Sequence, residues 1–262
     1  MLSKNQLKHI TSLHLKKYRE LYGEFVAEGE KSVAELLGST FEVKELFALG
    51  TWLQDNANLV NKYGLKVQEI SHDELARIST LKTPNKIVAV AAIPHSVVRS
   101  SEMFSDLILA LDNIRDPGNL GTIIRTADWF GIRHIVCSIG CVDAFNPKVV
   151  QSSMGSIART NIYYEELAGF IQSAPADMVI YGCLLDGRNI HTVPLKSPAI
   201  VIIGNESNGI SDELLPFITE KLRIPSFSKG TEYSGQAESL NASLANAIVC
   251  YEFRRRQSIN KL

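Results

Sequence analysis

No two cysteines in this chain are spaced as CxxC. The four present, Cys137, Cys141, Cys183 and Cys250, are scattered, and three of them fall in apolar strand or helix patterns. That speaks against a disulfide framework or a cysteine-bound zinc and reads as buried thiols in a reducing compartment. The six histidines, His9, His14, His72, His95, His134 and His191, have no metal-ligand spacing, so no metal is expected. No GxGxxG follows any strand pattern, which removes the phosphate loop that a nicotinamide-dependent oxidoreductase would need. No apolar run approaches the length of a membrane span, and the opening MLSKNQLKHITSLHLKKYRE is too polar for a signal peptide. A cytoplasmic protein is expected. Charge of one sign is also missing in excess: the net charge is −1, so nothing global announces nucleic acid.

What is present is 262 residues, 45% hydrophobic and 21% charged, enough for two ordinary globular domains. Cations gather at both ends. Lys4, Lys8, Lys16, Lys17 and Arg19 precede the first acidic residue, Glu20, and Arg254, Arg255, Arg256 and Lys261 crowd the other end. Two readings stay open for them, plain solvation and phosphate contact. Residues 1–98 read as a small α/β unit. A basic helix over Leu7–Lys17 comes first, then strands near 24–29, 45–49, 66–70 and 87–92. Helices follow the spacing at 31–37 and 52–63, and Ser71 caps another over His72–Ile78. Pro94–Ser105 is the linker candidate. This half holds no catalytic constellation and reads as a binding or dimerisation module.

The rest is organised around Leu107–Gly131. Leu107–Leu111 is a buried-strand run, Asp112-Asn113 and Asp116-Pro117-Gly118-Asn119 carry turn chemistry, and Leu120–Phe130 is helical. Asn119 is typed as N-cap and Gly131 as the residue past the helix end. Arg125, among apolar Leu120, Ile123, Ile124 and Ala127, needs an anionic partner or an opening to solvent. Strands at 134–137, 178–184, 199–203 and 222–224 alternate with helices at 147–157 and 165–173, before a closing helix over Leu240–Arg256. That order predicts a mostly parallel sheet covered on both faces. Two further loops leave buried strands. In GNESNGIS, Gly204 permits close backbone approach, and Ser211 is placed to cap a helix. In the stretch from Ile224-Pro225 to Ser239-Leu240-Asn241, Ser239 is the expected N-cap, and a helix N-terminus offers N–H groups suited to a carboxylate.

The blocks LDNIRDPGNLGTIIRTADWFG, IVIIGNESNGIS and IP…ESLNASLANAI resemble, in order and spacing, the three motifs of the SpoU (TrmH-like) branch of the SPOUT RNA methyltransferases. Ser152-Ser153-Met154-Gly155-Ser156 resembles that family's Ser-x-Gly-Ala segment. FVAEGEKSVAELL is similar, more loosely, to the L30e-type domain that often precedes the catalytic one. The resemblance implies an α/β fold: residues 106–262 form a SPOUT domain with a deep trefoil knot, behind an L30e-like RNA-binding domain at 1–98. It implies a homodimeric 2′-O-ribose methyltransferase using S-adenosylmethionine, acting on ribosomal RNA in preference to tRNA, with the site near the subunit interface. A catalytically silent RNA-binding module of the same fold is the alternative. The implied catalytic side chains are Asn119, Arg125, Glu206, Ser239 and Asn241. The implied cofactor contacts are Leu184, Gly204, Ile224, Pro225, Ser239, Leu240 and Asn241.

A sulfonium methyl is already electrophilic, so the protein's task is to align a ribose hydroxyl and manage one proton. A guanidinium resists deprotonation, so Arg125 is expected to clamp an RNA phosphate and the 2′-oxygen rather than act as the base. Asn119 is expected to orient Arg125 or the ribose, and Glu206 to hold Arg125 or shape its loop. The link SFSKGTEYSGQAE, Ser226–Glu238, is longer and more polar than in the family and reads as a lid, an RNA-facing loop or a tolerated insertion.

Overall fold

A computed structural model of the chain describes residues 1–63, 67–94, 101–227 and 238–259. Residues 95–100 of the linker candidate and 228–237 of the 226–238 link lie outside the described residues. The chain divides into two compact units, Met1–Ser96 with Asp143–Arg159, and Val97–Val142 with Thr160–Leu262.

In the first unit the strands β1 (Glu24–Glu28), β2 (Val43–Ala48), β3 (Val67–Glu69) and β4 (Ile87–Ala92) form one sheet in the order β1-β4-β2-β3. β4 is antiparallel to both neighbours, and β3 is parallel to β2. Strand alternation explains why β4 is apolar throughout. Ile87 and Ala89 pack with Trp52 and with Val33 and Leu37 of α3 (Glu30–Leu37) on one face, and Val88 and Val90 pack with Ile10, Leu13 and Ile78 on the other. Ser71 caps α6 (His72–Ile78) through a reciprocal box with Glu74, as the sequence predicts.

Two expected helices are each divided. The basic segment forms α1 (Lys4–Ser12) and α2 (Lys16–Tyr22) rather than one helix. Thr11 and Ser12 turn their hydroxyls back onto the carbonyls of Leu7 and His9, at 2.8 and 2.6 Å, and Leu13 dives into the core. The 52–63 pattern becomes α4 (Gly50–Asp55) and α5 (Ala57–Tyr63). Asn56 interrupts it by donating both its backbone and side-chain N–H to the Trp52 carbonyl.

The segment 143–159, which follows the central motif in sequence, clusters with this unit. It holds α8 (Pro147–Ser153), and Phe145 packs its ring 4.8 Å from that of Phe25. Arg19 anchors it. This side chain is 2% exposed, donates through Nε and Nη2 to Asp143 Oδ2 at 2.8 and 2.6 Å, and reaches the Leu13 carbonyl with Nη1 at 2.8 Å.

The second unit is a six-stranded sheet in the order β10-β8-β9-β5-β6-β7, every pairing parallel. Its strands are β5 (Leu107–Leu111), β6 (His134–Cys137), β7 (Asn161–Tyr164), β8 (Val179–Asn189), β9 (Ala199–Ile203) and β10 (Glu220–Arg223). β7 is an edge strand with only Tyr163 buried, so no apolar run marks it in the sequence. Ile108, Ala110, Ile200 and Ile202 share one core with Leu167, Phe170 and Ile171 from α9 (Leu167–Gln172). On the opposite side α10 (Ala242–Ile259) packs along α7 (Pro117–Trp129) and reaches β9.

The basic C-terminus is used inside this unit. Arg254 pairs with Asp106 at 2.7 Å, and Arg255 and Arg256 both pair with buried Glu252 at 2.7 Å. Arg256 also donates to the carbonyls of Ile190 and Val193. With Arg19 buried as well and Lys16 beside Glu20 at 3.7 Å, five of the cations open to phosphate contact by sequence have intramolecular carboxylate partners among the described residues.

Removing Asp143 strands a buried guanidinium. Asp143→Ala is expected to cost about 3–5 kcal/mol of stability in urea unfolding, and a loss below about 1 kcal/mol would show the pair to be incidental. The Glu252 carboxyl is lowered to about 2, first by the Arg255 hydrogen bond and then by Arg256, against desolvation. A depressed carboxyl contributes stability above its unfolded pKa and loses it as pH falls toward the folded one. Between about pH 5 and pH 2 the unfolding midpoint should therefore fall more steeply for the wild type than for Glu252→Gln. Equal slopes would contradict the assignment.

Candidate active site

The strand order places the chemistry. From β5 the chain proceeds outward through β6 to β7, while β9, β8 and β10 lie on the other side of β5. The reversal between β5 and β9 leaves a crevice beyond their carboxyl ends, the position where open parallel sheets bind ligands. The loops filling it are 112–116 after β5 and 204–211 after β9.

Helix α7 begins earlier than the sequence pattern predicts. Pro117 occupies its first turn, and the N-cap is Asp116, whose carboxylate accepts from Asn119 N–H at 2.9 Å. Asn119 is thus not the cap, and its side chain is available for longer-range contact. It donates through Nδ2 to the Glu206 carboxylate, and its Oδ1 accepts from Asn241 Nδ2 at 2.9 Å. One residue from each of the three motif blocks meets here.

The closing helix also starts differently from expectation. Asn241, not Ser239, is its cap: Oδ1 accepts from Ser243 N at 3.0 Å, from Ser243 Oγ at 2.6 Å and from Leu244 N at 3.4 Å. Glu206 takes the Ala242 N–H at 3.4 Å. The first amides of α10 are therefore satisfied within the protein, and the expectation that they stand free for a ligand carboxylate is corrected. Asx and Ser residues cap comparably well, and the tertiary contact with Asn119 decides which one does so. Ser239 is exposed and makes no hydrogen bond among the described residues.

Gly204 has an internal reason. A Cβ there would strike the backbone of Gly209, because Asn205 and Gly209 exchange N–H···O bonds of 3.0 and 2.8 Å and fold the loop back on its own stem. Leu184 is half-buried midway along β8, Ile224 and Pro225 are half-buried just past the end of β10, and Leu240 is 45% exposed before α10.

Arg125 stands apart. It lies on α7 beyond Asn119, is exposed, and has no hydrogen bond or ion pair among the described residues. Among the described residues the partners of Glu206 are Asn119 and Ala242, not Arg125. Trp129, one turn after Arg125, is 84% exposed, and Leu244, Ile248 and Tyr251 on α10 are 57, 37 and 54% exposed. Sequence reading missed this stripe, although its helical spacing is visible in the closing helix.

Comparison with known proteins agrees with these motifs. The SpoU rRNA Methylase family model matches residues 106–251, and the MRM3-like substrate binding domain model matches residues 4–89. The chain is 33% identical over 257 residues to the 23S rRNA (guanosine(2553)-2'-O)-methyltransferase RlmP of Bacillus subtilis, covering 96% of this chain and 97% of that one. A putative TrmH-family RNA methyltransferase structure from Porphyromonas gingivalis is 37% identical with a TM-score of 0.79, covering 98% of this chain and 99% of that one. An AdoMet-bound rRNA methyltransferase structure from Sinorhizobium meliloti is 30% identical with a TM-score of 0.81, covering 98 and 96%. With its three motif loops meeting at the switch point of a parallel sheet, the chain belongs to the SpoU rRNA methylase family.

Proposed function

We propose that this protein transfers the methyl group of S-adenosylmethionine to a ribose 2′-hydroxyl of ribosomal RNA. The observation carrying the reading is the meeting of Asn119, Glu206 and Asn241 beyond β5 and β9. The 23S rRNA activity named for the Bacillus subtilis relative favours ribosomal RNA over tRNA.

The residues present fit the cofactor. Half-buried Leu184 on β8, with Ile224 and Pro225 just past β10, would offer apolar surface for a purine, and the backbone groups beside them would take its polar edge. Gly204 and Leu240 would complete that wall. Bound there, S-adenosylmethionine supplies a sulfonium-activated methyl group. Asn119, fixed from both ends of its amide, and Asn241 hold the loops at one separation, while Ser239 remains open to a ligand. Arg125 carries the RNA side. Its fork clamps a phosphate and the 2′-oxygen, and the hydroxyl proton leaves to that phosphate or to water, because a guanidinium does not release its own.

The working form in this reading is a homodimer. Arg125, unpaired among the described residues, lies on the same helix as Trp129 of an exposed apolar stripe with Leu244, Ile248 and Tyr251, and a second copy covering that stripe completes the site. The C-terminal part is read as the family's deep trefoil knot, in keeping with α10 returning from edge strand β10 to pack on α7. Residues 1–98 are read as an L30e-like domain that holds structured RNA by shape, and the bacterial relative favours the cytoplasm. No described helix is long and apolar enough to cross a membrane.

Incubation with methyl-labelled S-adenosylmethionine and unmodified 23S rRNA transcript should label RNA at alkali-resistant ribose positions. Binding of S-adenosylhomocysteine without any transfer would favour the silent RNA-binding module. Arg125→Lys keeps the charge but loses the planar fork, and should cut transfer by about 100-fold or more with S-adenosylhomocysteine affinity preserved. Near-wild-type turnover would remove the clamp. Ile248→Glu with Tyr251→Glu should give a monomer by sedimentation velocity and abolish transfer, whereas an active monomer would remove the dimeric site.

A further inference from the structure

Beneath the catalytic loops lies a carboxylate that the mechanism above does not use. Asp112, the residue after β5, is 2% exposed and has no salt-bridge partner among the described residues. A buried, unpaired charge is costly unless donors surround it, and here three do. Its Oδ2 accepts from Ser211 N at 2.7 Å and Ser211 Oγ at 2.6 Å, and its Oδ1 accepts from Asn113 Nδ2 at 2.8 Å.

These contacts hold one end of the 204–211 loop. The other end is held by the next residue. Asn113 sits in the left-handed region at φ 55°, which turns its carbonyl to accept Asn205 Nδ2 at 2.9 Å, and its N–H donates to Ser138 Oγ at 2.9 Å. Asn205 Oδ1 in turn gathers the Ser207 N–H at 2.9 Å. The loop carrying Glu206 is therefore clamped at both ends by consecutive residues of the β5 loop, before Asn119 reaches Glu206 at all.

We propose that Asp112 is a positioning residue for methyl transfer, acting through Ser211 and the 204–211 loop to set where Glu206 meets Asn119. The inference rests on the active-site reading above. A carboxylate suits the task because both oxygens accept. Asparagine has one acceptor oxygen, and its NH2 would face the Ser211 N–H or the Asn113 amide.

The test is a double-mutant cycle in the full chain, read as kcat and KM for labelled methyl transfer to 23S rRNA transcript, with S-adenosylhomocysteine binding and Tm alongside. Asp112→Asn should lower kcat by about 10- to 100-fold with KM for RNA unchanged. In a Glu206→Gln background the same substitution should change kcat by no more than about twofold, because the group it positions is already gone. Ser211→Ala, which keeps the N–H and loses the hydroxyl, is the milder variant should Asp112→Asn fold poorly. It should show a smaller loss with the same non-additivity. Full additivity of either variant with Glu206→Gln, or losses in KM and Tm with kcat intact, would overturn the positioning role and leave the active-site reading standing. A Glu206→Gln enzyme with wild-type kcat would overturn both.

Discussion

The parallel pairing of β5 with β9 is the constraint on which the second unit depends. Leu107 through Leu111 lie opposite Ala199 through Ile203 without a register shift, and every residue of both strands is buried. Both faces are covered, so a slip of one residue would exchange side chains of unlike size between two packed cores and cost packing, and the cores hold the register. The register in turn holds Asp112 and Gly204 at the same level of the sheet, where their loops have to meet.

What those loops exchange is almost entirely hydrogen bonding between amides, carboxylates and backbone. Glu206 joins an asparagine amide to the first amide of a helix, and Asp112 joins a hydroxyl and two N–H groups. Charge-assisted bonds of this kind are short and directional, and they suit a reaction in which alignment does most of the work. The carboxylate of Glu206 also stands at the positive end of α10, where a negative charge is favoured. Arg125 takes no part in this network among the described residues.

Cations elsewhere are spent on structure. Arg19 holds 143–159 within the first unit, and Arg255 and Arg256 meet at a single buried glutamate. A basic cluster in sequence is therefore a poor guide to a phosphate-binding surface until its partners are known. The signs of the charges are local, but the acids that neutralise them lie far away along the chain or one helical turn off.

Much of this was legible in the residues alone. The apolar runs at 87–92, 107–111 and 199–203 marked buried strands, and Ser71 with Glu74 marked a helix start, because burial and capping act over a few neighbouring residues. The three motif loops were visible as loops, and the residue types Asn119, Glu206 and Asn241 could be named. Their partners could not. Which of Asp116 or Asn119 caps α7, and which of Ser239 or Asn241 caps α10, is a choice between comparable local energies, and contacts 122 residues apart in sequence decide it. The same holds for Arg19 and for the assignment of 143–159 to the first unit. Periodicity, capping and turn chemistry were the sequence's to determine, since each acts within a turn or a strand. The meeting of loops was left to the tertiary structure, because it depends on the order and register of strands that local pattern does not encode.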